Sequence, residues 1–202
     1  MLTVEQDANG RMLRGLGTFG AFVLLNVVHL ITCIPVVTIG TATSALFSVT
    51  LRYSEDEGGG LVGEYLHELR ACLRTGTLLL VALLVPAGVL AFAGLFWAFQ
   101  GGPLAILVPV LAAIGTAYLF AAFVWGTAMV GRFEQTTRQT IRNALLLPAA
   151  EPWRTTVIVL VPVTSVSLAV VFPAFLVVLL SIGFSVGFYL LGFLLRGAFS
   201  RH

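Results

Sequence analysis

Residues 26–51 read NVVHLITCIPVVTIGTATSALFSVTL, from Asn26 to Leu51. An apolar segment carrying Asn26, His29 and Cys33 runs into Pro35, turns through Thr38, Ile39, Gly40 and Thr41, and resumes as a second apolar segment rich in Ser and Thr. Pro35 removes a helical donor, so the stretch reads as two helices joined by a tight turn. Asn26, His29 and Cys33 are spaced three and four apart and share one helical face. Thr38, Thr41, Ser44 and Ser48 form a matching stripe on the second helix. This hairpin holds the densest set of polar groups in the apolar sequence, which is otherwise Leu, Val, Ala, Phe and Gly.

Composition places the whole chain in a membrane. Hydrophobic residues make up 58% and charged residues 10% of its 202 residues, against roughly 45–50% and 25% in soluble domains. Mean hydropathy is +1.02. A net charge of +2 and the lack of a dense basic cluster speak against nucleic acid as a partner. Every basic residue is Arg. Cys33 and Cys72 suggest no disulfide framework. The charged first residues precede an apolar run longer than a signal-peptide core, so the expectation is a retained anchor.

Three stretches, 15–51, 75–131 and 155–195, lack Asp, Glu, Lys and Arg altogether. Each holds two crossings of roughly 20 residues joined by a turn. The turns fall at Pro35, at Gln100-Gly101-Gly102-Pro103 and at Phe172-Pro173. The expectation is therefore an all-α, polytopic membrane bundle forming one domain over 1–202. Its six transmembrane helices lie near 16–35, 38–52, 75–99, 103–130, 155–172 and 174–195. All eleven arginines lie in the tails and the two polar loops, none in the three turns. By the positive-inside rule both termini are cytoplasmic. The alternative is five crossings with 38–52 as a re-entrant helix, because so short a helix falls below the roughly 30 Å hydrocarbon core.

The polar loops read as interfacial helices. In 61–74, Val62, Tyr65, Leu66, Leu69 and Leu73 fall on one face and Glu64, His67, Glu68, Arg70 and Arg74 on the other. An acidic, glycine-rich link, 55–60, leads into it. In 132–147 a weaker apolar face comprises Phe133, Thr137, Ile141 and Ala144, with Glu134 and Arg138 spaced for an i,i+4 pair. Pro148 and Pro152 are expected to end this helix. Glu64, Arg70, Arg138 and Arg142 are the candidate docking residues for a cytoplasmic partner, against the plainer reading that both helices only close the loops.

No constellation for catalysis is present. Gly15-Leu16-Gly17-Thr18-Phe19-Gly20 matches a dinucleotide fingerprint in letters but has neither a preceding strand nor an acid about twenty residues on. His29 and Cys33 lack a third metal ligand at a workable spacing. Hence no metal, no cofactor and no enzymatic activity are expected. Gly183 and Gly187 form a G-x-x-x-G pair through which a second helix, or a second copy of the chain, could approach. Two readings of the hairpin stripes stay open. They face each other and hydrogen-bond within the hairpin, or they line a solute path or an interface.

The hairpin and its surroundings also resemble a known family. Asn26, then Pro35-Val36-Val37-Thr38-Ile39-Gly40 leading into a small-residue helix, is similar to the signature of the YesL-like bacterial membrane proteins. Tyr65, Leu69 and Arg142-Asn143-Ala144-Leu145 extend the likeness. Thr41 stands where that family usually has Pro. The resemblance implies a bacterial plasma-membrane protein without established activity, often encoded beside carbohydrate ABC transporter permeases. It thus implies a non-enzymatic accessory protein that binds or scaffolds a permease. The alternative is an independent small-solute channel or carrier using the hairpin stripe.

Overall fold

The computed structural model describes the backbone of residues 2–53, 60–133 and 135–199, and side chains from 17 onward except 193 and 196–199. The acidic link at 55–59, Glu134 with its expected pairing to Arg138, and Arg201 lie outside the described residues. Eight helices account for nearly all of the described chain, and no strand occurs among the described residues. They are α1 (Leu2–Cys33), α2 (Ile39–Tyr53), α3 (Leu61–Ala71), α4 (Leu73–Ala98), α5 (Leu104–Val130), α6 (Thr137–Ala150), α7 (Pro152–Val171) and α8, which joins Phe175–Val178 to Phe184–Phe199. Gly15–Gly20 lies inside α1, so the nucleotide-like pattern is plain helix.

All six segments expected to cross the membrane are helical. Four helices have the length and apolarity for it: α4, α5, α7 and, within α8, Phe175–Gly192. α1 adds a shorter apolar stretch, Gly17–Cys33. α2 has only 15 residues, and every residue from 40 to 51 is buried. It is sheathed by protein and is the axis on which the other helices pack. Phe47 enters one core cluster with Leu79, Leu83, Trp125, Ile158 and Leu195. Leu46 and Val49 enter a second with Phe22, Leu25, Leu61 and Tyr65.

Glycines set the approach to α2. A Cβ at Gly40 would lie 2.1 Å from the Gly76 carbonyl oxygen, and one at Gly131 would lie 2.7 Å from the Ser48 nitrogen. Backbone meets backbone at both places. Gly76 sits in the first turn of α4, and Gly131 directly follows α5. Gly126 approaches Leu79, and Gly94 approaches Ala112, so α4 and α5 are antiparallel and these ends coincide. From Gly40 to Ser48, α2 therefore steps across the end of the α4–α5 pair that carries Arg74 and Arg132.

α4 and α8 each contain one widened π turn, at Leu80–Leu84 and Leu179–Gly183. The first precedes Pro86, whose ring displaces the carbonyl four residues back. The second has no proline at hand. Three further prolines are carried inside helices, at Pro109, Pro148 and Pro162. Pro148 does not end α6 as expected. It sits in the last turn, where little of the helical ladder is left to interrupt, and is buried beside Thr140 and Ala144. α6 also starts later than 132, because the Thr136 N–H and hydroxyl both bond to Gln139 Oε1 and cap the helix there. Phe133, placed on its apolar face by the sequence, precedes the helix.

α3 packs against the protein with only part of the apolar face read from its sequence. Leu61, Tyr65 and Cys72 are buried, whereas Leu66 and Leu73 are 45% and 47% exposed. The reason is packing against α1 and α2, which selects a face offset from the amphipathic one.

Candidate functional site

The candidate site is the α1–α2 hairpin. Pro35 is extended and starts a single 3-10 turn, Val36–Thr38, before α2. Ile34, Val36 and Val37 at its tip are 76%, 67% and 60% exposed. The carbonyls that the break frees are taken up by hydroxyls. The Thr38 hydroxyl is 2.6 Å from both the Thr32 and the Pro35 carbonyl. Thr77 of α4 reaches the Val37 carbonyl at 3.5 Å. Gly40 does not adopt a positive φ; its bare backbone serves the contact with Gly76.

The two polar stripes do not bond to each other. Asn26, fully buried, points at α8: its Nδ2 donates to the Leu180 carbonyl at 2.6 Å, and its Oδ1 accepts from the Ser185 N–H at 3.0 Å. Leu180 and Ser185 are the i and i+5 partners across the π turn. The carboxamide is thus inserted into the helical ladder and explains the widened turn. Ser185 in turn donates from its hydroxyl toward the Phe22 and Ile182 carbonyls, both at 3.1 Å.

His29 and Cys33 belong to a cluster with Thr32 and Tyr65, the last fully buried. Thr32 donates to the His29 carbonyl at 2.8 Å, and the Tyr65 hydroxyl contacts Thr32 Oγ1. Tyr65 Oη is 3.3 Å from His29 Nδ1, and Cys33 Sγ is 3.6 Å from His29 Nε2. The His29 ring thus lies between the Tyr65 hydroxyl and the Cys33 thiol and also hydrogen-bonds to the backbone of Ala42 on α2. Among the described residues no three metal-ligating side chains come together.

On α2 most hydroxyls turn back on their own helix. Thr43 donates to the Ile39 carbonyl at 2.7 Å, Ser44 to Gly40 at 2.8 Å and Thr50 to Leu46 at 2.7 Å. Thr41 reaches out to the Leu73 carbonyl at 3.3 Å, with Thr77 Oγ1 at 3.4 Å. Ser48 is buried and its hydroxyl has no partner. Pro35 is exposed, and Ile39 packs against the larger core cluster.

The candidate docking residues do not form one surface. Arg138 and Arg142 border a hollow of about 450 Å³ with Thr136 and Gln139 on α6. Glu64 and Arg70 lie on α3 and are not part of it. Gly183 meets only its own helix, at Leu179, and Gly187 has nothing within 4 Å; the glycine of α8 that meets another helix is Gly192, at Leu51. Sequence reasoning missed Ser185, Thr77, Gly76 and Gly131, because each gains its meaning from a partner far along the chain. The T-x-x-Q pattern at Thr136 was a readable signal for the cap.

No curated protein and no solved structure matches the chain. Residues 22–94, from Phe22 in α1 to Gly94 in α4, match a family model described as "Protein of unknown function, DUF624". The matched region holds the whole hairpin, α3 and most of α4, so the chain is similar to that family where its buried polar groups are gathered.

Proposed function

We propose that the protein is a non-enzymatic accessory component of the bacterial plasma membrane that binds or scaffolds the permease of a carbohydrate ABC transporter. The observation that carries the scaffold role is the insertion of the Asn26 carboxamide into α8. With His29 engaged by Tyr65, Cys33 and the Ala42 backbone, the stripe is largely spent on holding α1, α3, α4 and α8 around α2, which leaves little of it for a solute. Broad apolar faces remain outside, with Phe92 72% and Ile106 76% exposed, for lipid or another membrane protein. The transporter as partner rests on the YesL-like resemblance, with which the match to a family of unknown function is compatible. Purification in mild detergent from cells that express the neighbouring permease should bring the two down together. Solute flux by the purified chain alone in liposomes would instead establish the carrier reading.

For topology we infer that α4, α5, α7 and α8 cross, and that the α1–α2 hairpin enters and leaves on the arginine side. Both termini are then cytoplasmic, as six crossings would also require. This is supported by the start of α2 lying on the first turns of α4, beside Arg74, and not near the Gln100–Pro103 turn. A second support is the apolar, self-capped tip, since backbone in hydrocarbon must satisfy its own polar groups. In a Cys33→Ala/Cys72→Ala background, Val36→Cys should resist a membrane-impermeant thiol reagent applied to whole cells, whereas Gly101→Cys should label. Equal labelling of both would restore six crossings.

A further inference from the structure

α7 has the length and apolarity to cross the membrane, yet only its start is buried in the protein. Arg154 and Ile158 are buried there, and the Trp125 indole N–H donates to the Thr155 hydroxyl at 3.2 Å. From Val159 to Val171 no residue is buried. This outer half is not uniformly apolar. Leu160, Thr164, Ser167 and Val171 are spaced four, three and four apart, so they share one side of the helix, away from Arg154 and Ile158. All four are exposed.

Thr164 and Ser167 are exceptions among the crossing helices. Every other Ser and Thr of α4, α5, α7 and α8 takes part in a side-chain hydrogen bond. On α7 itself Thr156 turns back to the Pro152 carbonyl at 2.9 Å, and Ser165 to the Val161 carbonyl at 2.8 Å. Among the described hydrogen bonds Thr164 and Ser167 have none. A hydroxyl set in hydrocarbon without a partner is costly, because lipid tails offer it no acceptor.

A second α7 does offer one. Ser and Thr hydroxyls both donate and accept, so a stripe of them complements a copy of itself, and Ser and Thr are favoured where membrane helices meet. Copies of one chain share an orientation in the bilayer. A two-fold axis along the membrane normal therefore sets two α7 helices in parallel, with Thr164 against Thr164 and Ser167 against Ser167. The glycine pattern of α8 leaves no such groups free, since Ser181 and Ser185 beside it are both bonded. We propose that the protein forms a two-fold dimer through this side of α7, with the hydroxyls of Thr164 and Ser167 hydrogen-bonded between the copies.

The full-length chain, in membranes of cells that lack the permease, tests this independently of the transporter reading. In a Cys33→Ala/Cys72→Ala background, Thr164→Cys and Ser167→Cys should each give a linked dimer on mild oxidation, since a disulfide needs Cα atoms within about 7 Å. Val166→Cys, 64% exposed on another side of α7, and Gly187→Cys on α8 should stay monomeric. Thr164→Val/Ser167→Ala keeps the shape and removes both hydroxyls. Its dimer affinity, read by energy transfer between labelled copies in liposomes, should fall about fivefold. The proposal is overturned if wild-type copies show no energy transfer, or if the hydroxyl-free variant dimerises as tightly as wild type. Linking of Val166→Cys or Gly187→Cys as complete as that of the Thr164 and Ser167 variants overturns it too. So does Thr164→Cys linking to a permease while the chain alone stays monomeric, which would give this side of α7 to the permease.

Discussion

The α1–α2 and α4–α5 hairpins are each two apolar helices joined by a tight turn, yet they meet the same problem in opposite ways. At the α4–α5 turn, Gly101 and Gly102 take φ of 71° and 86°, a region that residues with a Cβ seldom adopt. Its freed carbonyls have no side-chain caps among the described hydrogen bonds. The α1–α2 turn needs no left-handed residue, and hydroxyls of Thr38 and Thr77 cap its carbonyls. The helices differ likewise. α4 and α5 join through apolar and small-residue contacts, Gly94 on Ala112 and Gly126 on Leu79 among them, with one side-chain bond among the described residues, Thr116 to the Ala87 carbonyl at 3.3 Å. α2 is buried around its whole circumference and touches both core clusters. A turn that reaches water can leave its backbone to the solvent. On the topology proposed above, the α1–α2 turn lies in hydrocarbon and must bring its own partners, the role that Thr38 and Thr77 take here.

The largest expected effect sharpens this contrast at glycines. In Gly40→Val or Gly76→Val the new side chain meets backbone, at 2.1 Å and 2.6 Å for Cβ alone, and backbone cannot swing aside. The cost should exceed the upper end of the roughly 1–3 kcal/mol of ordinary overpacking, seen as loss of folded protein on size exclusion in detergent. Gly88→Ala, where a Cβ meets nothing within 4 Å, should leave yield and melting unchanged. Equal tolerance at Gly76 and Gly88 would break the comparison.

Next comes Asn26→Leu. It strips partners from the Leu180 carbonyl and the Ser185 N–H, which stay buried, at a cost of about 1–3 kcal/mol. Thermal melting gives the magnitude, and hydrogen exchange at the Ser185 amide gives the location: exchange should quicken there and not at Leu84 in the other π turn. Pro86 fixes that turn from within its own helix.

These two π turns mark how far the sequence could be read. Charge-free runs and the breakers at Pro35, Gln100–Pro103 and Pro173 placed most helix ends to within a few residues, though α1 begins at Leu2 and not near 16, because hydropathy and punctuation are local. The widened turn near Pro86 also has a local cause. The one in α8 does not, since the residue that opens it is 154 positions away from Leu180. The hairpin stripes were legible as polar faces for the same local reason. Their partners on α3, α4 and α8 were not, because periodicity fixes which residues share a face but not what that face meets. The burial of α2 was hidden too, as sequence weighs its length against a bilayer and not against neighbouring protein.

A smaller effect is expected at the tip. Thr38→Val keeps the shape but removes the hydroxyl shared by the Thr32 and Pro35 carbonyls, at about 1 kcal/mol. Thr116→Val in the α4–α5 pair removes one bond of 3.3 Å and should cost less. Chemical or thermal unfolding of the two variants side by side checks the order. A larger loss at Thr116 would mean that the tip carbonyls find water after all.

The smallest expected effect has the opposite sign. Ser48 and Ser44 lie one turn apart on α2, both fully buried, and both approach Gly131 through their backbones. Ser44 spends its hydroxyl on the Gly40 carbonyl at 2.8 Å, whereas the Ser48 hydroxyl has no partner. Replacing either by Ala brings the same gain in helix propensity, so the difference between the two variants isolates the hydroxyl. Ser44→Ala loses a bond and should melt at or slightly below wild type. Ser48→Ala removes an uncompensated polar group and should melt higher, by an amount worth under about 1 kcal/mol. In the scaffold reading that gain comes with undiminished permease binding and no solute flux in either protein. If Ser48→Ala instead left melting unchanged and altered flux of the purified chain in liposomes, the hydroxyl would belong to a solute path, and the hairpin would be a site before it is a scaffold.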